Sequence, residues 1–445
     1  MDERGRLATL GLLASLGRAS RDQIAAFRDA QLRRVVGLAH ERVPYYRALF
    51  DRHGVRPGRI KSARDLIHVP ETSRSDVQAA EAGALLARDV DAGQVLALRT
   101  AGSSGRPLVL RRTRGEERLR SALRLRAFLD LGVRAGDRQV SLSVAPRPGD
   151  PRRPHRLQRL VRAAGLFRRR SLDVGRGLPA ILDELRRFRP DVLFAYPSML
   201  ARAARLYADD GSAGIRPRLA ICGSEILTPA LRGQIEAGFE TTVRNWYGAH
   251  EIGLIASQCP RSDLLHVAEH NAVVEVLRDG RPAVEGESGE VIVTALHTFA
   301  MPFIRYRLGD LATLGPTPCP CGAPWPTLLA VDGRTWEVVT LANGRVIHPV
   351  EINRAIQNAG MPWVRQYQLT QLAPDAVEFR ISLRATPDPA ALGGLRNALG
   401  ELVGPETRVE IRVVPDVEPE PNGKFRVVRP LAEPAGSGDG PHGRP

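Results

Sequence analysis

With 445 residues, 43% of them hydrophobic and 25% charged, the chain is globular and too long for a single ordinary core, so two or three domains are expected. Its net charge of +15 would suit nucleic acid, but only Lys61 and Lys424 are lysines, and the arginines run through the whole chain without interleaved aromatics. That is compositional bias, so no nucleic-acid partner is expected, and no membrane partner either, because no apolar run approaches the ~20 residues of a span.

Residues 7–16 are mildly apolar, but Asp2 and Glu3 precede them and glycines interrupt them. A first helix is expected there, not a signal peptide, and a cytoplasmic location with it. Residues 1–50 read as helices, with Leu32, Val35, Val36 and Leu38 on one face and Pro44 ending the run. In Val69-Pro-Glu-Thr-Ser-Arg-Ser-Asp76, Thr72 or Ser73 can cap a helix that has Asp76 in its first turn. Apolar runs at 95–98 and 108–110 flank Thr100-Ala-Gly-Ser-Ser-Gly-Arg-Pro107, which predicts strand, loop, strand. Gly102 and Gly105 let successive N–H groups face one anion, and the hydroxyls of Thr100, Ser103 and Ser104 add donors. An ordinary polar turn has the same composition, and the ending of a Walker loop is missing.

Beyond the loop, a helix is predicted over 114–131 and strands over 139–144, 191–196 and 219–223, with helices over 179–188 and 200–208. Residues 146–171 are rich in Pro and Arg and read as an exposed excursion. Strands alternating with helices imply parallel βαβ units, whose ligands bind at the carboxyl ends of the strands. Tyr196-Pro197-Ser198, Gly223-Ser224-Glu225 and Tyr247-Gly248-Ala249-His250-Glu251 all fall at such ends. Residues 273–294 read as hairpins broken at Asp279-Gly280 and Gly286-Glu287. Arg305-Tyr-Arg-Leu-Gly-Asp310 and Gly333-Arg334 follow, and strands over 364–372, 376–383 and 409–414 with a helix over 389–403 complete a small unit.

Read together, these segments resemble the adenylate-forming superfamily of acyl-CoA ligases, and most of all its phenylacetate–CoA ligase and CapK-like branch. The resemblance covers residues 40–430, and its strength lies in the ordered set of motifs. It implies an α/β fold: a large N-terminal domain over 1–332 with parallel βαβ sheets and a β-rich hairpin portion, and a small mobile α+β domain over 333–431; the Gly/Pro-rich composition of 432–445 predicts a disordered tail. It implies ATP-dependent activation of a carboxylic acid, aryl or arylacetic, as an acyl-adenylate, then transfer to the thiol of coenzyme A. By resemblance the 100–105 loop holds the β- and γ-phosphates, Glu251 binds magnesium, and Tyr247 and Gly248 lie against adenine. Gly223, Ser224 and Glu225 line the adenine pocket, Asp310 accepts from the ribose hydroxyls, and Arg334 reaches the ribose or α-phosphate. Tyr196 and Pro197 border the acyl pocket, together with the helix near 120–131. Lys424, in Pro421-Asn-Gly-Lys-Phe425, is the catalytic lysine of this pattern; a compact ammonium can neutralise charge between the attacking carboxylate and the α-phosphate.

Two positions depart from the pattern. His250 replaces a hydroxyl residue before Glu251, which lets an imidazole reach phosphate or the acyl group. Trp336, followed by Glu337, stands where the family hinge carries Asp. These departures keep two alternatives open: transfer to a carrier-protein thiol or an amine, and a nucleotide-binding scaffold without catalysis. Separately, Cys259, His266, Cys319 and Cys321 offer three thiolates and an imidazole, a closed tetrahedral set for a structural zinc. A small-molecule acid and a homodimer complete the expected partners.

Overall fold

The computed structural model describes residues 19–81, 83–91, 93, 95–99, 108–143, 168–211, 214–335, 338–347, 351–352, 355–356, 361, 363–420 and 425–431. The loop residues Thr100, Gly102, Ser103, Ser104 and Gly105, the hinge residues Trp336 and Glu337, and Lys424 lie outside the described residues, as do most of 146–171 and all of 432–445.

The first described helix, α1 (Arg21–Arg42), starts in a capping box in which Ser20 and Gln23 bond each other's backbone N–H groups. Helix α2 (Pro44–Arg52) follows at once, with Pro44 in its first turn. Ser73, not Thr72, caps α3 (Arg74–Ala79). Thr72 instead lies along the chain at 304–307: its N–H donates to the Arg305 carbonyl at 2.9 Å and its hydroxyl to that of Ile304 at 3.0 Å. Strands β1 (Leu96–Arg99) and β2 (Val109–Arg112) pair antiparallel with Arg99 opposite Val109, so the loop between them closes a hairpin.

Helix α4 (Arg114–Asp130) has a second capping box, from Thr113 and Glu116. Then come β3 (Gln139–Ser143), β4 (Arg169–Asp173), α5 (Leu178–Phe188), β5 (Val192–Ala195), α6 (Pro197–Asp209), β6 (Leu219–Gly223), α7 (Pro229–Phe239) and β7 (Thr242–Ala249). The strands stand in the order β4-β3-β5-β6-β7, all parallel. Every residue of β6 is buried, as a strand covered on both faces requires. The helix α7 was not foreseen, since Gly233 and Gly238 dilute its apolar pattern; Gly238 lets it cross α6, because a Cβ there would lie 2.7 Å from that of Ala204.

The hairpin portion consists of β8 (Gly253–Gln258), β9 (Leu265–Val267), β10 (Ala272–Arg278), β11 (Arg281–Pro282), β12 (Ser288–Ala295), β13 (Tyr306–Leu314) and β14 (Thr327–Arg334). It does not form a sheet of its own. Strand β7 is parallel to β6 and antiparallel to β8, so both halves fuse into one 12-stranded sheet. Leu311 pairs with Gly333 and Asp310 with Arg334, so the last strand of the large sheet runs through Arg334.

Past the short pair β15 (Val339–Thr340) and β16 (Val346–Ile347), a second sheet forms from β17 (Val364–Ala373), β18 (Ala376–Leu383), β19 (Arg408–Val413) and β20 (Val428–Arg429), in the order β19-β18-β17-β20, with α8 (Pro389–Val403). It has its own core around Leu369, Phe379, Ile381, Leu395 and Leu399. It docks on α6 and α7: Asp416 pairs with Arg205 at 2.7 Å, Gln234 donates to the Arg365 carbonyl at 2.9 Å, and Arg384 to that of Ala230 at 2.8 Å.

Candidate active site

A cavity of about 1380 Å³ lies between the two sheets, at the carboxyl ends of β6 and β7. It exceeds an ordinary small-ligand pocket of ~300–1,000 Å³ and leaves room for a nucleotide with a second reactant. Tyr196, Ser224, Glu225, Tyr247, Gly248, His250, Glu251, Asp310 and Arg334 all line it. Two expected residues do not. Pro197 is buried in the first turn of α6, and Gly223 lies behind the wall, where a Cβ would be 2.9 Å from the Trp246 carbonyl oxygen.

Asp310 is fixed from two strands. The Tyr247 hydroxyl, from β7, donates to its Oδ2 at 2.8 Å, and Arg334, its register partner on β14, places Nε 3.4 Å from Oδ1. Burial first, then the Asp310 charge, pushes the Tyr247 phenol well above its ordinary value of 10.0, so Tyr247 stays a donor across the working pH range. Tyr247→Phe keeps the ring and removes this donor. On the nucleotide-binding role that the motifs imply for Asp310, it is expected to raise KM for ATP about tenfold, the scale of one hydrogen bond to a charged group at roughly 1.5 kcal/mol. Steady-state exchange kinetics with KM unchanged would dissociate Asp310 from nucleotide binding.

Glu251 is buried beside Arg74, whose Nη1 is 3.8 Å from Glu251 Oε1. The strand-like pairing of Thr72 with Tyr306 holds α3 where Arg74 reaches that carboxylate. Two buried guanidiniums brace the turn that carries it. Arg112 donates to the carbonyls of His250 and Glu251, and Arg120 to that of Ala249 at 3.2 Å. Burial, then the neighbouring Arg112 charge, pushes Arg120 down to about 9. Gly248 is required here, because a Cβ would lie 2.4 Å from the Gly253 carbonyl oxygen.

Glu225 joins the two parts of the molecule. One oxygen accepts from the Ser198 N–H at 3.2 Å, an otherwise uncapped donor in the first turn of α6. The other accepts from the Phe425 N–H at 2.7 Å. Its neighbour Ser224 has φ of +70°, an uncommon conformation for a residue with a side chain. Phe425, Arg426, Arg365 and Tyr367 also face the cavity from the small sheet. Arg74, Arg112, Arg120 and Trp246 were not singled out from sequence. The arginines were hidden among 59 others (64 basic residues less two lysines and these three), and Trp246 by its place inside a strand of mixed polarity.

The four metal-ligating candidates converge without lining this cavity. The ligand atoms of Cys259, His266, Cys319 and Cys321 all lie within 4.8 Å of one another. Sγ of Cys259 and Cys319 are 3.9 Å apart, and Cys321 Sγ is 3.5 Å from His266 Nε2. Tetrahedral zinc with Zn–S of about 2.3 Å and Zn–N of about 2.05 Å requires edges of about 3.8 and 3.6 Å. The N–H groups of Arg261 and Ala323 donate to Cys259 Sγ and Cys321 Sγ, each at 3.3 Å, as suits thiolates. The set therefore fits zinc.

No family model matches the chain. It is 27% identical over 345 residues to a phenylacetate–coenzyme A ligase of Thermus thermophilus, covering 76% of each chain. It is 24% identical to that of Aromatoleum evansii, over 95% of this chain and 94% of the other. A crystal structure of 2-hydroxyisobutyryl-CoA ligase in the postadenylation state superimposes with a TM-score of 0.74 at 20% identity, over 91% of this chain and 89% of the other. Along most of its length the chain is thus similar in sequence to phenylacetate–coenzyme A ligases, and its two-sheet fold is similar to that of 2-hydroxyisobutyryl-CoA ligase.

Proposed function

We propose that this protein is an AMP-forming acid–thiol ligase: it joins a carboxylic acid to the α-phosphate of ATP and then passes the acyl group to coenzyme A. The observation that carries this reading is the single cavity into which the large sheet brings Tyr247, Glu251, Asp310 and Arg334 and the small sheet brings Phe425, next to Lys424. Tyr247 offers a ring to adenine, a contact of about 1 kcal/mol. Asp310, held on both sides, accepts from the ribose hydroxyls, and Arg334 faces the same end.

Magnesium suits the site because Glu251 presents a hard carboxylate oxygen at the cavity wall. It supplies charge neutralisation at the phosphates. The 100–105 loop is assigned to the departing pyrophosphate, since β1 and β2 anchor both its ends. The carboxylate oxygen bonds to the α-phosphorus as the bridging bond to pyrophosphate breaks, with Lys424 stabilising the charge that gathers there. The thiol then bonds to the acyl carbon and AMP leaves. Units 1–332 and 333–431 are assigned to the two halves of this work, with the small sheet as the moving part. Zinc at Cys259, His266, Cys319 and Cys321 is structural, since all four positions are taken by protein.

ATP–pyrophosphate exchange across a panel of acids tests the first step. Exchange that depends on one class of acid is expected; ATP binding without exchange for any acid would favour a non-catalytic scaffold. Single-turnover transfer to coenzyme A, compared with a carrier-protein thiol or an amine, identifies the acceptor.

A further inference from the structure

The acid has to reach the α-phosphate at the end of β7, where Trp246, Gly248 and His250 line the cavity. The walls expected for an aryl group were the segment 194–198, which holds Tyr196 and Pro197, and the helix α4. In the structure these walls do not enclose an opening. Phe128 of α4 and Phe194 of β5 touch at a ring-centroid distance of 5.6 Å, and the Trp246 indole meets them at 5.1 and 6.4 Å. The indole also packs on the Ala127, Leu254 and Ala268 side chains.

Two glycines make room for it. Gly223 is the register partner of Trp246 on β6, and a Cβ there would lie 3.2 Å from indole Cδ1. Gly248, two residues along the same face of β7, would place a Cβ 3.1 Å from Nε1. Small residues on both sides of a slot would ordinarily leave space for a ligand ring. Here a side chain of the protein fills that space with an aromatic group larger than phenyl.

We propose that Trp246 is the floor of the acid pocket and restricts the substrate to short aliphatic carboxylic acids, excluding the aryl and arylacetic acids of the family pattern. The proposal rests on the acid-activating reading given above. An aryl ring and the indole need the same slot, and close packing lets only one occupy it. A short acyl group needs only the part of the cavity in front of the indole.

Exchange measured with propionate, benzoate and phenylacetate on wild type, Trp246→Ala and Trp246→Leu decides it. Wild type is expected to favour propionate over phenylacetate by about 100-fold or more in kcat/KM, the scale of steric exclusion from a filled pocket. Trp246→Ala should gain phenylacetate exchange by about tenfold or more and lose exchange with propionate, while KM for ATP stays within about twofold. Trp246→Leu retains an apolar filler against Phe128 and should fold with an intermediate preference. A wild type that prefers phenylacetate, or an acid preference unchanged in both variants, would overturn the pocket floor and leave acid activation standing. Wild type exchanging with no acid would overturn both.

Discussion

Lys424→Ala is expected to lower ATP–pyrophosphate exchange by about 300-fold or more, a loss of about 3–4 kcal/mol in transition-state stabilisation. The reason begins with composition. All but two of the basic residues are arginine, so lysine has been kept at 424 against a strong bias. An ammonium is a compact charge that fits between two anionic groups, whereas a guanidinium is a broad plane that prefers one bidentate partner. The structure describes its sequence neighbour: Phe425 donates its N–H to Glu225 and lines the cavity. Lys424→Arg should therefore also lose most of the exchange although the charge is kept. Exchange at the wild-type rate in Lys424→Ala would remove this lysine from the chemistry.

Zinc removal should act on stability and leave the cavity residues in place. Natively purified protein is expected to hold one zinc per chain, and a strong chelator should lower its unfolding temperature by roughly 5–10 °C. A metal held at a thousand times its Kd contributes about 4 kcal/mol, and in a large chain each kcal/mol shifts Tm by about 2–4 °C. The mechanical reason is the path of the chain. Cys259 follows β8, His266 lies in β9, and Cys319 and Cys321 lie between β13 and β14. One ion would tie turns separated by some sixty residues. Cys319→Ser should reproduce the loss, and chelator should then add little. Metal analysis giving well under one zinc, with Tm indifferent to chelator, would make the four residues a reduced cluster.

Much of the fold could be read before the structure. Ser73, one of two cap candidates, announces its helix, the helix over 114–131 shows as an amphipathic run, and the buried strands β5 and β6 show as short apolar runs that end at polar clusters. The position of Asp310 opposite Arg334 was not legible, since it depends on strand register between segments far apart in sequence. Nor was the fusion of both halves through β7, because pairing partners are a tertiary choice. The role of Glu225 was legible only in part. Its place at the cavity follows from the strand end, but its two carboxylate oxygens are shared between α6 and the small sheet, which no local pattern encodes.

Strand β7 ends in an alternation that separates two kinds of recognition. Tyr247 points into the hydrophobic core beside Asp310, and Trp246 points to the opposite face, among Phe128 and Phe194. Because side chains alternate with a period of two, the strand would, on the proposed reading, deliver nucleotide contacts at one position and acid contacts at the next. A one-residue slip would exchange them and ruin both, so insertions here should be lethal to activity. Point substitutions face no such constraint. On the proposed reading the position that meets the acid can be varied while the position that meets the nucleotide is untouched, which would make β7 a natural place for acid preference to diverge, or to be engineered, on a constant frame.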